Sequence, residues 1–151
     1  MISKALNNLL KEKNIHIDTK IPKDIFDSKQ NHIIALFKQA GYENLHREII
    51  LFLCFFDEII ISHKGYTIEF NISKKLQFFT KDEVSYLEKI SEKTLFPIGI
   101  MQSGWYDLFA DENGAVYAIH IEADEIILYG ETPFLALENI LKNNKLQSLK
   151  L

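Results

Sequence analysis

The chain has 151 residues, of which 47% are apolar and 25% are charged, and its formal net charge is −4. This composition excludes the weakly hydrophobic, highly charged class of disordered chains, and a chain of this length can bury about 70% of its unfolded surface. We therefore predict a single domain over residues 1–151 that needs neither a disulfide nor a metal ion to fold.

The first part of the chain has the apolar spacing of helices. Behind Ser3, which favours the N-cap position, apolar residues recur three and four positions apart and predict a short helix. A polar stretch containing Pro22 interrupts this pattern, and a second apolar stripe over residues 33–40 ends at Gly41. Residues 45–56 form a third helix that is apolar on nearly all sides, so we expect it to be buried.

Strand periodicity begins after residue 58. Two β-branched runs, residues 59–61 and 66–70, flank the turn His63-Lys64-Gly65 and predict a hairpin. Thr80 and Glu83 have the spacing of a capping box, in which each side chain accepts a hydrogen bond from the other residue's backbone N–H. A helix should follow over residues 84–90.

The second half of the chain returns to strands. Four runs, residues 95–101, 105–110, 115–121 and 125–129, are separated by short turns, of which Asp111 to Gly114 is the clearest. Parallel neighbours need longer crossovers, so this spacing favours an antiparallel meander. Thr132 and Pro133 then begin a last helix. The predicted fold class is α+β: an antiparallel sheet flanked by N-terminal helices, a central helix and a C-terminal helix.

Three features predict a cytoplasmic protein. The first residues lack the apolar segment of a secretory signal. The longest apolar run, residues 49–56, is far shorter than the roughly 20 residues of a membrane-spanning helix. The one cysteine, Cys54, cannot form an intramolecular disulfide and is interpreted as a small buried apolar residue.

No motif in the sequence predicts catalysis, a cofactor or a metal site. The five histidines are dispersed and lack zinc-ligand spacing, and neither a phosphate-binding loop nor a GxGxxG motif is present. Cys54 lies among apolar residues, whereas a reactive thiolate needs an electropositive and accessible setting.

Charge is distributed unevenly along the chain. Residues 94–141 contain eight acids and no lysine or arginine, which gives this segment a formal charge of −8 and the rest of the chain +4. Such an acidic surface repels nucleic acid and favours a basic protein as partner. Trp105, Tyr106 and Tyr129 are candidate aromatic anchors within it. The alternative is that the acids keep turns and strand edges soluble, and that Trp105 is a core residue.

Three segments of the second half form a recognisable pattern: Leu95-Phe96-Pro97-Ile98-Gly99, Gly104-Trp105-Tyr106, and Leu108 to Tyr117, which reads Asp-x-x-Gly-x-Val-Tyr from Asp111. The helix before the hairpin contributes a Phe52-Leu53-Cys54-Phe55-Phe56 pattern. In this order the segments resemble the SUKH superfamily of bacterial immunity proteins, in its third subgroup, although Asp57-Glu58 stands where the family often has a Gly-Gly pair.

The resemblance implies a non-enzymatic domain that binds and neutralises a cognate polymorphic toxin in the cytoplasm of the producing cell. Toxins neutralised by this superfamily are commonly nucleases or nucleic-acid deaminases, whose basic surfaces an acidic inhibitor could cover. The residues that we predict to contact the toxin are acidic or aromatic: Trp105, Asp107, Asp111, Glu112, Glu122, Asp124 and Glu125.

Two other classes of function remain open from the sequence. The superfamily also contains intracellular scaffold or regulatory modules on the same fold. A small enzyme or ligand-binding domain would instead use a cleft between the sheet and the helices, and it would require a deep pocket with convergent polar groups.

Overall fold

The computed structural model of the protein describes residues 2–102 and 105–150. Within these residues the chain forms six helices and one seven-stranded antiparallel sheet, which confirms the predicted α+β class. The elements, in chain order, are α1 (Lys4–Glu12), α2 (Lys23–Gln39), α3 (Arg47–Phe56), β1 (Ile59–His63), β2 (Tyr66–Phe70), α4 (Ile72–Phe78), α5 (Lys81–Ser91), β3 (Leu95–Met101), β4 (Tyr106–Asp111), β5 (Val116–His120), β6 (Glu125–Gly130), α6 (Pro133–Leu141) and β7 (Gln147–Lys150).

The sheet is a meander in which each strand pairs with the next strand along the chain, from β1 at one edge to β7 at the other. All six pairings are antiparallel, as the short connections predict. The β1–β2 hairpin turns at Lys64 and Gly65, whose φ angles of 46° and 83° suit the tight turns that match strand twist. The two hairpin strands and the four strands of the second half lie within two residues of their predicted bounds, but Trp105 and Ile121, predicted as strand residues, fall just outside β4 and β5.

The core lies between the sheet and helices α3 and α6. Phe52 on α3 stacks on Phe56 with ring centroids 4.5 Å apart, and it meets Phe70 of β2 and Phe134 of α6 edge to face at 5.0 and 5.3 Å. Edge-to-face contacts of this kind add to the stabilisation from burial. The sequence prediction that α3 is buried is confirmed, and Cys54 is buried within it.

All three predicted N-cap residues occupy their positions, and two of them make a capping hydrogen bond. Ser3 accepts a hydrogen bond from the Leu6 N–H at 3.0 Å, and Thr132 accepts one from the Leu135 N–H at 3.2 Å. Thr80 occupies the N-cap of α5, but its side chain makes no capping hydrogen bond. The predicted capping box is therefore wrong in its hydrogen bonds, although the helix that it predicts is present.

Helix α2 is longer than its apolar stripe. It begins at Lys23, directly after Pro22, whereas the stripe starts ten residues later at Ile33. Among its residues only Ile33 and Phe37 are buried, so most of its length lacks the periodicity that marks a buried face. It ends before Gly41, whose φ of +94° is the left-handed conformation expected of that glycine.

Two short elements have no counterpart in the sequence prediction. Helix α4 is a two-turn helix capped by Asn71, which accepts a hydrogen bond from the Lys74 N–H at 3.1 Å. Strand β7 is exposed at all four positions, so it has no apolar alternation that could have revealed it.

The helix-to-strand turn at Asp57 and Glu58 keeps a backbone conformation that favours glycine. Glu58 has a φ of 69°, in the left-handed region. Asp57 Oδ1 accepts a hydrogen bond of 2.9 Å from the Ile72 N–H, which fixes the turn against the start of α4. In the part of the chain that the structure describes, no helix has both the length and the apolar character needed to cross a bilayer.

Candidate functional site

The structure places the predicted contact residues at opposite ends of β4. Its six residues, Tyr106–Asp111, span about 17 Å at the usual rise of a strand. At the far end lie Asp111 and Glu112, and at the near end lie Trp105, Asp107, Glu122, Asp124 and Glu125. Gly104, part of the motif that suggested the family, lies outside the described residues.

Asp111 stabilises the turn between β4 and β5. It is only 4% exposed, and its Oδ1 accepts hydrogen bonds from the backbone N–H groups of Asn113 and Ala115 at 2.8 and 3.0 Å. The Tyr117 hydroxyl donates a third hydrogen bond, of 3.3 Å, to Oδ2. A carboxylate with this many internal donors is a structural residue and is not accessible to a partner in this conformation.

Glu112, beside it, is exposed but also has an internal role. Its Oε2 accepts a hydrogen bond of 2.9 Å from the Thr94 N–H, next to the start of β3. The far end of β4 therefore has one buried acid and one exposed acid, both hydrogen-bonded to backbone. These two residues are separated from the rest of the predicted contacts by the length of the strand.

Asp107 forms an ion pair with Lys75 of α4. Both side chains are largely buried, and the Lys75 Nζ lies 4.5 Å from the centroid of the Phe79 ring. The positive charge of Lys75, which lies outside the acidic segment of residues 94–141, thus offsets the negative charge of Asp107. The sequence could not reveal this pairing because the two residues are 32 positions apart.

Glu125 is half-buried and accepts a hydrogen bond of 2.7 Å from the Tyr106 hydroxyl. Burial, together with this hydrogen bond, raises the pKa of Tyr106 to about 12. The Tyr106 ring also meets the ring of His120 edge to face, with centroids 5.3 Å apart. Tyr129 is buried, so neither tyrosine is an exposed anchor of the kind that the sequence suggested.

Trp105 is the exposed aromatic residue at this end of the sheet. Its side chain is 75% exposed, which shows that the alternative of a core tryptophan is wrong. The β4–β5 ladder reaches Asp107 opposite Ile119. Trp105 lies one residue before β4 with a φ of 64°, and Ile121, which is 43% exposed, lies just after β5. Trp105 and Asp107 line the same recess.

The turn from β5 to β6 adds two free carboxylates beside this pair. Glu122 and Asp124 are exposed, and neither makes a side-chain hydrogen bond or an ion pair with any residue the structure describes. Asp124 adopts a φ of 51°, which lies in the left-handed region of the backbone. The His120 Nδ1 accepts a hydrogen bond of 3.2 Å from the Ala123 N–H, which fixes the turn.

These residues enclose a shallow recess of about 320 Å³. We call it the Trp105 recess, and its lining residues are Trp105, Asp107, His120, Ile121 and Glu122. His120 and Ile121 were not among the residues predicted from the sequence. The sequence predicts Ile121 as the last residue of a strand, whereas β5 ends at His120 and Ile121 begins the turn to β6.

Two further observations concern metal binding and thiol chemistry in the described residues. Across residues 2–102 and 105–150, no three His, Cys, Asp or Glu side chains are grouped closely enough to hold a metal ion. Burial raises the pKa of the Cys54 thiol, which disfavours the reactive thiolate. A recess beside Cys54, of about 300 Å³, is lined mostly by apolar side chains, among them Ile21, Ile25 and Phe55.

Comparison of the chain with protein-family models, with curated proteins and with solved structures gave no match. The resemblance to the SUKH superfamily therefore stays a prediction, based on the motif residues given above.

Proposed function

We propose that this chain is an immunity protein that binds a cognate bacterial toxin with a basic surface and neutralises it by occlusion in the cytoplasm. The observation that carries the proposal is the exposed side chain of Trp105, next to Ile121 and the free carboxylates of Glu122 and Asp124. Large exposed aromatic side chains are common at the centres of protein interfaces, and surrounding charges select the partner.

The contact surface is narrower than the sequence suggested. Glu122, Asp124 and Trp105 are free to meet a partner, whereas Asp107 and Glu125 are engaged with Lys75 and the Tyr106 hydroxyl. Asp111 is buried, and Glu112 lies at the other end of β4. We therefore place the toxin contact at the near end of β4 and at the β5–β6 turn.

An acidic surface with an apolar centre also supports a nuclease or a nucleic-acid deaminase as the toxin. Nucleases and nucleic-acid deaminases bind phosphate groups through lysine and arginine, so their substrate-binding surfaces are basic. An inhibitor that covers such a surface gains favourable electrostatics on encounter and excludes the substrate. This class of toxin is what the resemblance to the superfamily implies.

The test is co-expression of this chain with the toxin-like C-terminal domain encoded by the neighbouring gene, scored by cell survival and by co-purification. Rescue together with a stable complex is the expected result. A Trp105→Ala variant should lose rescue, whereas Glu112→Gln, at the other end of β4, should retain it. If the wild-type chain neither rescues nor binds while both proteins are folded, that domain is not the partner, and a scaffold function becomes the better interpretation.

A further inference from the structure

We propose that the Trp105 recess takes an arginine side chain of the partner, stacked on the indole ring and neutralised by the Glu122 carboxylate. This inference rests on the proposed function, because it specifies which chemical group of a basic partner the surface recognises. Three observations carry it: the exposed indole, the apolar side chain of Ile121 beside it, and the two acids of the recess, of which only Asp107 has an ion-pair partner among the described residues.

The indole of Trp105 supplies the stacking surface. Three quarters of its side chain is exposed, so the ring has little internal packing to lose when a partner covers it. Tryptophan is the aromatic residue that attracts cations most strongly, and arginine is the cation found most often in such contacts. Ile121, directly after β5, supplies an apolar wall for the methylene groups of an arginine side chain.

The charges in the recess favour a cation. Among the described residues that line it, two are acids and none is a lysine or an arginine. Lys75 neutralises Asp107 from α4, whereas the carboxylate of Glu122 has no ion-pair partner in the described part of the chain. Asp124, two residues away, is exposed in the same way. One negative charge beside the indole is therefore left to be compensated by a partner.

Arginine fits this combination better than lysine. Its guanidinium group is planar, stacks on aromatic faces and presents two parallel N–H groups to a carboxylate. A lysine ammonium is more strongly hydrated and acts as a point charge, so it gains less from a flat aromatic wall. The recess should thus discriminate between two side chains that carry the same charge.

The chain contains one tryptophan, so its fluorescence reports directly on the recess. The experiment titrates the full chain with a short, capped oligo-arginine peptide at about 150 mM salt, where long-range attraction is screened. The comparison peptides are oligo-citrulline, which has nearly the same shape without charge, and oligo-lysine, which has the same charge without the planar group. We expect saturable binding of the arginine peptide, weaker binding of the lysine peptide and none of the citrulline peptide.

Two matched variants distinguish binding at the recess from a general effect of the chain's negative charge. Glu122→Gln and Glu131→Gln each remove one exposed negative charge, but Glu131 follows β6 at the opposite end of that strand from the recess. Glu122→Gln should weaken binding of the arginine peptide about fivefold, as expected from the loss of one partly exposed charge contact, and Glu131→Gln should change it less than about twofold. Circular dichroism checks that both variants are folded.

The inference is overturned by equal weakening in the two variants, by citrulline or lysine binding as tightly as arginine, or by the absence of saturable binding. Its failure is distinguishable from failure of the proposed function. A chain that ignores the arginine peptide but still neutralises its toxin loses only the arginine site. A chain that binds the peptide through Glu122 but neutralises no neighbouring toxin keeps the site and loses the proposed function.

Discussion

The Tyr106 hydroxyl donates a hydrogen bond of 2.7 Å to Oε1 of Glu125. Tyr106 is the first residue of β4 and Glu125 is the first residue of β6, so this bond joins two strands across the end of β5. Trp105 directly precedes Tyr106 in sequence, and Asp124 directly precedes Glu125. The hydrogen bond therefore holds together the backbone that presents the candidate contact surface.

Tyr106→Phe should lower the free energy of unfolding by about 1 kcal/mol, which is below the usual range for hydrogen bonds to charged groups because both residues are partly exposed. Urea unfolding followed by circular dichroism measures the change. Tyr86→Phe is the matched control, since Tyr86 is exposed on α5 and should be close to neutral. Equal stability of Tyr106→Phe and the wild type would show that water replaces this bond without cost.

The same tyrosine predicts a loss of stability at alkaline pH. Its pKa rises from 10.0 to about 12 in the folded state, chiefly through burial and also through the hydrogen bond to Glu125. The folded state then binds more protons than the unfolded state above pH 10, so its contribution to stability falls as pH rises through this range. Tyr106→Phe should flatten the decline in the free energy of unfolding, and an unchanged decline would contradict the assignment.

The ion pair of Lys75 and Asp107 predicts a large effect for Asp107→Asn. The substitution leaves a largely buried ammonium group without its counter-charge, and we expect a loss of about 2–3 kcal/mol in urea unfolding. Glu69→Gln, which weakens the more exposed pair with Lys74, should cost less than about 0.5 kcal/mol. Replacing both Lys75 and Asp107 by Met and Leu should cost less than Asp107→Asn alone, because no charge is then left buried.

His63 predicts a loss of stability at mildly acidic pH. It is 3% exposed at the end of β1, and neither ring nitrogen meets hydrogen-bond geometry with a partner among the described residues. Burial lowers its pKa below 6.5, the charges of Lys13 and Lys64 act in the same direction, and the nearby Asn143 side chain opposes them.

The unfolded state therefore takes up a proton at His63 more readily than the folded state, and the free energy of unfolding falls as pH drops below 6.5. Chemical denaturation at a series of pH values should show this fall in the wild type and a shallower one in His63→Leu. Identical pH profiles for the two proteins would assign the acid sensitivity to other groups.

Glu58→Gly should stabilise the fold. The φ of 69° at Glu58 costs about 1–2 kcal/mol for a residue with a Cβ, and glycine relieves this cost at the expense of a more flexible unfolded chain. The expected gain is about 0.5–1 kcal/mol. Ala35→Gly, in the exposed interior of α2, should instead destabilise by about 1 kcal/mol. Loss of stability in both variants would contradict the predicted relief of strain at Glu58.

Much of the fold could be predicted because its signals are local. Alternation and β-branched residues mark the strands of residues 59–70 and 95–129, and Ser3 and Thr132 mark two helix starts. The elements that were missed, α4 and β7, have weak local signals. Helix α4 is seven residues long, and β7 is exposed throughout and depends on pairing with β6.

The candidate surface could be predicted only in part. Sequence by itself determined the fold class, the meander and the concentration of acids between residues 94 and 141, because periodicity and charge are properties of the chain. Only the tertiary structure decided which acids are free. Burial of Asp111, the approach of Lys75 to Asp107 and the hydrogen bond from Tyr106 to Glu125 depend on strand register and helix packing, which bring distant residues together. Exposure of Trp105 at the end of the sheet is decided in the same way.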